Sequence, residues 1–112
     1  MNELHLGLKF TLNIPSGIHF PSLKKLVVSD DTFANENSIQ QLFSGCPVLQ
    51  ELEFCDCYYW ENIKQISVEI STLRKLTISV DYDHDMTFKI DVVNLLSLSC
   101  TCSPTVEFIL LT

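Results

Sequence analysis

Two short cysteine motifs are the first residues of this chain whose type and spacing could support chemistry. Cys55-Asp56-Cys57 and Cys100-Thr101-Cys102 together carry four thiols, the number that a structural zinc ion binds. Zinc sites, however, are usually built from Cys-x2-Cys pairs, whereas here a single residue separates the members of each pair. We therefore expect no metal site and interpret these thiols as structural.

An acidic run, Asp81-Tyr82-Asp83-His84-Asp85, is similar to the beginning of a calcium-binding loop. Such a loop requires glycine at its sixth position and a bidentate glutamate at its twelfth, because the chain must turn sharply and then close the coordination sphere. Those two positions hold Met86 and Val92. We therefore predict a solvated acidic turn without a bound metal.

The histidines His5, His19 and His84 stand in unrelated sequence contexts. No Gly-rich nucleophile elbow, HExxH motif or phosphate-binding loop accompanies them. Since no nucleophile can be matched with a base, we predict that the chain is not an enzyme and uses no cofactor.

The dominant pattern of the chain is a leucine-anchored phrase with apolar residues at offsets 0, 3 and 5. Its full copies begin at Leu23, Leu49, Leu73 and Leu95, which lie 26, 24 and 22 residues apart, and Met1-x-x-Leu4-x-Leu6 opens the chain. A period of roughly 20–29 residues is typical of leucine-rich repeats, in which each unit gives one strand to a curved solenoid. The sequence predicts an α/β solenoid of about five repeats, with a parallel concave sheet and a short helix or strand on its convex side.

The alternation within each phrase assigns its residues to faces. Offsets 0, 3 and 5 are expected to point into the solenoid, and offsets 2, 4 and 6 onto the concave face. This register sets Lys25 beside Glu51 and Glu51 beside Lys75, pairs that stabilise a sheet or contact a ligand. It also separates Cys55, which points outward, from Cys100, which points inward two strands away. The residues predicted to bind a protein partner are Lys25, Val27, Glu51, Glu53, Lys75, Thr77, Ser97 and Ser99.

A helix is predicted over Thr32 to Gly45, where apolar residues at i, i+3 and i+4 share one face. Ser38 and Gln41 have the spacing of a capping box, in which each side chain binds a backbone N–H at the start of a helix. Gly45, followed by Pro47, is a typical stop signal.

Later repeats replace this helix with an extended segment. Residues 66–73 align without gaps on residues 88–95, with every apolar position repeated at a shift of 22. Their strict alternation predicts a short strand on the convex side. The aromatic cluster Tyr58-Tyr59-Trp60 is interpreted as packing in the core or in a loop.

The charge and cysteine content of the chain indicate which partners and which cell compartment to expect. The excess of 14 acidic over 7 basic residues, a net charge of −7, argues against nucleic acid or an anionic membrane as partners. No apolar run approaches the roughly 18 residues of a membrane span, and the N-terminus lacks a signal-peptide pattern. Five cysteines without a glycosylation sequon are typical of a reduced compartment. We expect a cytoplasmic or nuclear protein.

The chain is expected to form a single leucine-rich-repeat domain over residues 1–112. The first phrase starts at Met1, and Val106 to Leu111 reads as an apolar strand that opens a sixth unit. Stacked repeats normally end in polar caps, which neither end shows. We therefore expect a fragment that is truncated at both ends.

Several segments are more specific than a generic repeat. Phe20-Pro21-Ser22-Leu23-Lys24-Lys25-Leu26, Asp31-Thr32-Phe33 and Leu42-Phe43-Ser44-Gly45-Cys46-Pro47-Val48-Leu49-Gln50-Glu51-Leu52 resemble the P-S-L-K-x-L, F and L-x-S-G-C-P-V-L-E-x-L elements of plant F-box proteins of the LRR and FBD type. Residues 90–98 resemble the I-x-A-P-N-L-x-S-L unit of that family, with Val92-Val93 where Ala-Pro is usual. The resemblance covers nearly the whole chain.

This resemblance implies a role in substrate recognition within an SCF-type ubiquitin ligase, whose F-box binds the cullin adaptor while the repeats bind a protein target. No F-box segment precedes the repeats here, so we expect a cullin adaptor as partner only if a longer form carries one. The alternatives are the repeats of an intracellular plant immune receptor, a nonfunctional truncated remnant, and a metal or redox module built on the cysteine pairs or the acidic run.

Overall fold

The computed structural model describes residues 2–6, 11–12, 17–29, 32–33, 36–55, 64–80, 86–102 and 106–110. These residues form ten strands and one helix. In chain order the elements are β1 (Glu3–Leu6), β2 (Thr11–Leu12), β3 (Lys25–Ser29), β4 (Thr32–Phe33), α1 (Glu36–Ser44), β5 (Glu51–Cys55), β6 (Gln65–Val68), β7 (Lys75–Val80), β8 (Met86–Ile90), β9 (Ser97–Cys102) and β10 (Val106–Leu110).

The leucine phrases form a five-stranded parallel sheet with the order β1-β3-β5-β7-β9. Each strand comes from one phrase, and the pairing is in unbroken register. The central leucines of the phrases stand side by side across the sheet: Leu4, Leu26, Leu52, Leu76 and Leu98. The predicted solenoid with a parallel concave sheet is therefore confirmed.

Strands β3, β5, β7 and β9 each start with the same hydrogen-bond arrangement, in which two successive N–H groups donate to one carbonyl oxygen of the preceding repeat. The oxygen of Asn2 accepts from the amides of Lys24 and Lys25 at 2.8 and 3.0 Å. The acceptors in the later turns are Lys24, Gln50 and Arg74, and their donor pairs are Gln50 with Glu51, Arg74 with Lys75, and Leu96 with Ser97. These hydrogen bonds align the starts of neighbouring strands, although the repeats differ in length.

After the short pair β2 and β4, the convex side carries helix α1 and then a sheet. Strands β6, β8 and β10 form a three-stranded parallel sheet with the order β10-β8-β6. Ile66 pairs with Phe88 and Val68 with Ile90, which confirms the predicted convex strands and their shift of 22 residues. Strand β10 pairs with β8, so residues 106–110 close the fifth unit on the convex side. The prediction that this segment opens a sixth unit is therefore wrong.

Helix α1 is shorter than predicted, and the capping box predicted at Ser38 does not mark its N-terminus. Thr32 and Phe33 form β4, which pairs with β2, because they find backbone partners in the preceding turn. The helix begins at Glu36, so Ser38 lies inside its first turn with a buried side chain and is not the N-cap. The predicted end is confirmed, since the N–H of Gly45 reaches the carbonyls of Gln41 and Leu42, both at 3.2 Å.

Gly45 is required by a close backbone approach. A Cβ atom at this position would lie 2.5 Å from the carbonyl oxygen of Ile18. The two segments are held together by the N–H of Phe20, which donates to the carbonyl of Gly45 at 2.7 Å. Gly17 is required for a different reason, because its φ of 86° lies in the left-handed region that side chains disfavour.

The core fills the space between the concave sheet and the convex elements. The first two inward residues of each of β3, β5 and β7 are fully buried, and so are the leucines before these strands: Leu23, Leu49 and Leu73. Phe54 lies in the centre of this core. Its ring centroid is 6.3 Å from that of Phe43 on α1 and 6.1 Å from that of Phe88 on β8. Among the described residues, no helix has the length and apolar character that crossing a bilayer demands.

Candidate interaction surface

The outward side chains of the five-stranded sheet form two adjacent rows that run across all five strands. We call the surface formed by these two rows the concave face. The first row is Glu3, Lys25, Glu51, Lys75 and Ser97, and the second is His5, Val27, Glu53, Thr77 and Ser99. All eight residues predicted for partner binding lie on this face. Glu3 and His5 also lie on it, as their offsets of 2 and 4 in the first phrase indicate.

Val27 differs from the other predicted residues of the concave face because it is only 8% exposed. Its predicted place in the outward row is confirmed by the register, and its role in partner binding stays a prediction. In the strand register it stands between His5 and Glu53, whose side chains are longer. Val27 is therefore a buried apolar residue between two polar residues of the concave face.

A cluster of charges occupies the β1–β5 end of the concave face. The Nζ atom of Lys25 lies 3.4 Å from Oε1 of Glu3, 3.8 Å from Oε2 of Glu51 and 3.9 Å from Oε1 of Glu53. Nε2 of His5 lies 3.3 Å from the same oxygen of Glu3. The predicted pairing of Lys25 with Glu51 is thus part of a larger group in which three carboxylates surround one ammonium. Lys75 flanks Glu51 on the other side in the strand register.

Two members of this cluster, Glu3 and Lys25, have shifted pKa values. The hydrogen bond from Lys25 lowers the pKa of Glu3, and the same hydrogen bond, helped by the charge of Glu53, raises the pKa of Lys25. The stabilising share of Glu3 is present above the ordinary pKa of glutamate and is lost as pH falls through the lowered value. That of Lys25 is lost only as pH rises through its raised value. The ion pair of Glu3 and Lys25 is therefore fully charged around neutral pH.

Replacing Lys25 by glutamine is expected to raise the pKa of Glu3 towards its ordinary value, because the main cause of its shift is removed. A carboxyl-detected NMR titration of Glu3 in the wild type and in Lys25→Gln measures this change. Lys75→Gln is the matched control, since Lys75 lies three strands away from Glu3 and should leave the titration unchanged. An identical Glu3 pKa in Lys25→Gln and in the wild type would contradict the proposed cause.

The interpretation of the paired cysteines as buried structural thiols is wrong for Cys100, which is exposed, whereas Cys55 is half-buried and Cys46 is buried. Cys55 lies level with Ser79 and Thr101, so the register separates it from Cys100. Its Sγ lies 4.0 Å from Oε2 of Glu53, at the limit of a sulfur hydrogen bond. The thiol of Cys46 is buried and donates to the carbonyl of Leu42 at 3.3 Å, and burial raises its pKa.

Other residues that the sequence singled out lie outside the described part of the chain. Cys57, the cluster Tyr58–Trp60 and the acidic run 81–85 lie outside the described residues, as does the side chain of Cys102. Within the described part of the chain, no group of three or more His, Cys, Asp or Glu side chains has a geometry suited to a metal ion. The concave face is thus the arrangement on which a function can be argued.

The chain matches a known family model over nearly its whole length. The model describes the LRR repeats of FBD-associated F-box protein At5g56370 and matches residues 1–107. This match confirms the family resemblance seen in the repeat phrases.

Relatives from Arabidopsis thaliana carry related names. FBD-associated F-box protein At3g52670 is 30% identical over 94 residues, which cover 84% of this chain and 22% of the relative. Putative FBD-associated F-box protein At3g50710 is 37% identical over 78 residues, or 70% of this chain and 18% of the relative. No solved structure matches. The matched part is about a fifth of the length of these relatives, and this chain belongs to the leucine-rich-repeat region of the FBD-associated F-box protein family.

Proposed function

We propose that the concave face binds a protein target and that, in a longer gene product, it serves as the substrate-recognition surface of an SCF-type F-box ubiquitin ligase. The observation that carries this proposal is the unbroken register of five parallel strands, which displays two rows of mostly accessible polar side chains. Membership in an F-box protein family supports the link to a ligase.

Binding on this face requires no chemistry on the target. The strands are tied to one another by their backbone hydrogen bonds, so the surface is preformed and little ordering entropy is lost on association. The charges around Lys25 orient a partner at one end of the face. At the other end, hydroxyl groups of Thr77, Ser97 and Ser99 offer neutral hydrogen bonds. Residues 1–112 act in this proposal as one non-enzymatic repeat domain.

The identity of the partners follows from the same proposal. The F-box of a longer form would bind the cullin adaptor, while the repeats bind a protein target in the cytoplasm or nucleus. A net charge of −7 favours the approach of a target with a basic surface over nucleic acid or an anionic membrane.

Sequencing the transcript upstream of Met1 tests the connection to the ligase. An in-frame F-box supports the proposal. A nucleotide-binding domain in that position would instead identify the repeats of an immune receptor, and a genuine start at Met1 without any other domain would favour a truncated remnant.

A charge reversal on the concave face is expected to weaken target binding. Glu53 lies near the centre of the face and its side chain is 24% exposed. We expect Glu53→Lys in the F-box-containing gene product to weaken the binding of its main interactor about tenfold, which corresponds to roughly 1.4 kcal/mol. The interactor is first identified by proximity labelling in plant cells, and its affinity is then measured by biolayer interferometry.

Glu69→Lys is the matched control for this experiment. Glu69 is exposed and follows β6 on the convex side, so the same change of charge leaves the concave face intact. Equal losses in both variants would indicate a general charge effect, and undiminished binding of Glu53→Lys would exclude the concave face as the binding surface. Circular dichroism of both variants verifies that the fold is retained.

A further inference from the structure

A second surface of the solenoid lies along the edge where the strands of the concave sheet begin. Its first row holds the residue after the leading leucine of each phrase: Lys24, Gln50, Arg74 and Leu96. Its second row holds the residue two positions before that leucine: Pro21, Pro47, Ser71 and Val93. Members of both rows are exposed in the inner repeats as well as in the last one, so solvent reaches these turns whatever follows along the solenoid. We call these two rows the strand-start edge.

A groove of about 670 Å³ runs along the strand-start edge, past the starts of β5, β7 and β9. Its walls include Gln50, Ser71, Arg74, Val93, Asn94 and Leu96. Val93 and Leu96 are 82% and 80% exposed, which gives the groove an apolar side. Arg74 is its charged member, and none of the described residues that line it is acidic. Apolar surface combined with a few polar groups is typical of a ligand site.

The charge at this edge is opposite to the net charge of the chain. Four of the seven basic residues stand at the starts of β3 and β7: Lys24, Lys25, Arg74 and Lys75. Three carboxylates surround Lys25. Arg74 and Lys75 are both exposed, and no carboxylate of a described residue lies within ion-pairing distance of either one. The positive charge of Arg74 in the groove is therefore available to pair with a carboxylate of a partner.

Backbone hydrogen bonds fix the charged and apolar residues of the groove relative to one another. The N–H of Arg74 donates to the carbonyl of Gln50 at 2.8 Å, and the carbonyl of Arg74 accepts from the N–H of Leu96, also at 2.8 Å. The hydroxyl of Thr72 donates to the carbonyl of Leu49 at 2.6 Å and so fixes the turn before Arg74. Because the groove is ordered before a ligand arrives, little conformational entropy of the chain is lost on binding.

We infer that this groove binds an extended peptide segment of a partner protein in which an aspartate or glutamate stands next to an apolar residue. The carboxylate pairs with the guanidinium of Arg74, whose planar fork matches two carboxylate oxygens. The neighbouring apolar side chain packs against Val93 and Leu96. Gln50 and Asn94 carry amides that hydrogen-bond the peptide backbone. The strand-start edge is separate from the concave face, so this inference does not rest on the proposed function.

Selection from a phage-displayed library of random octapeptides on the immobilised 112-residue chain tests this inference without assuming a sequence. We expect the enriched peptides to carry Asp or Glu within two positions of Leu, Ile, Val or Phe. The net charge of −7 and the carboxylates of the concave face both favour basic peptides, so an acidic and apolar consensus indicates the strand-start edge. A selection that yields only basic peptides, or none, would overturn the inference.

Substitution of Arg74 tests the charged contact with the enriched peptide, whose affinity is measured by fluorescence anisotropy. We expect Arg74→Gln to weaken binding about two- to fivefold, the range of an exposed ion pair, and Arg74→Lys to retain most of the affinity. Lys24→Gln is the matched control, because Lys24 is exposed, holds the same place in the turn before β3 and does not line the groove. An equal loss in Lys24→Gln and Arg74→Gln, or no loss in either, would overturn the assignment to the groove.

Val93→Ser tests the apolar contact with the same peptide. We expect it to weaken binding about three- to tenfold, since a serine side chain gains little from leaving water. Leu110→Ser is the control, because Leu110 is 58% exposed and does not line the groove. Equal affinities of the two variants would overturn the placement of the apolar residue of the peptide. Circular dichroism of every variant verifies that the fold is retained.

Discussion

Replacing Phe54 by alanine is expected to lower the free energy of unfolding by about 3–5 kcal/mol. The side chain is fully buried, and its ring meets Phe43 on α1 and Phe88 on β8 at tilted or edge-on angles. Removing it takes away the residue that links the concave sheet to both kinds of convex element. Because a domain of this size is stable by only about 5–15 kcal/mol, the variant should be largely unfolded well below the wild-type midpoint.

Urea denaturation followed by circular dichroism measures this loss, and Phe54→Leu is the matched comparison. Leucine keeps most of the buried volume, so its cost should be a fraction of that of alanine. If both variants lost the same free energy, the cavity could not be the main cause, because only alanine leaves a large one. A loss below about 1 kcal/mol in Phe54→Ala would show that the core closes around the missing ring.

Gly45→Ala is expected to cost about 1–3 kcal/mol, because an added methyl group forces packed segments apart. The new Cβ would stand 2.5 Å from the carbonyl oxygen of Ile18, and a backbone atom cannot rotate away as a side chain can. The hydrogen bond between the N–H of Phe20 and the carbonyl of Gly45 holds the two segments at this separation. The midpoint of thermal unfolding should therefore fall.

Gly17 is a control in which backbone conformation, and not lack of space, disfavours a side chain. A Cβ there would meet nothing within 4 Å, but its φ of 86° disfavours most side chains. Asparagine tolerates the left-handed region, so Gly17→Asn should cost less than Gly17→Ala. At Gly45 the space is limiting, and asparagine should be at least as harmful as alanine. The same order of the two substitutions at both sites would contradict this distinction.

The concave sheet could be predicted from the spacing of leucines alone. Its inward positions recur at offsets 0, 3 and 5, and an alternating segment with one buried face has a single register that buries all of them. The pairing of Lys25 with Glu51 followed from that register and was found. The gap-free alignment of residues 66–73 on 88–95 gave the convex strands in the same way.

Features that depend on distant partners were harder to predict. Thr32 and Phe33 precede a helical pattern and were assigned to it, yet they pair with a strand formed twenty-one residues earlier. Such a partner leaves no mark in the local pattern. Val27 points outward as predicted but is only 8% exposed, and its neighbours in the row, His5 and Glu53, come from two other repeats. Periodicity assigns the direction of a side chain but not how far its neighbours shield it.

The carbonyls that accept two N–H groups at the strand starts make the register of the concave sheet independent of the length of each repeat. Successive acceptor carbonyls lie 22, 26 and 24 residues apart, yet each aligns the next strand in the same register. Insertions and deletions between the concave strands can therefore accumulate without shifting the residues displayed on the concave face.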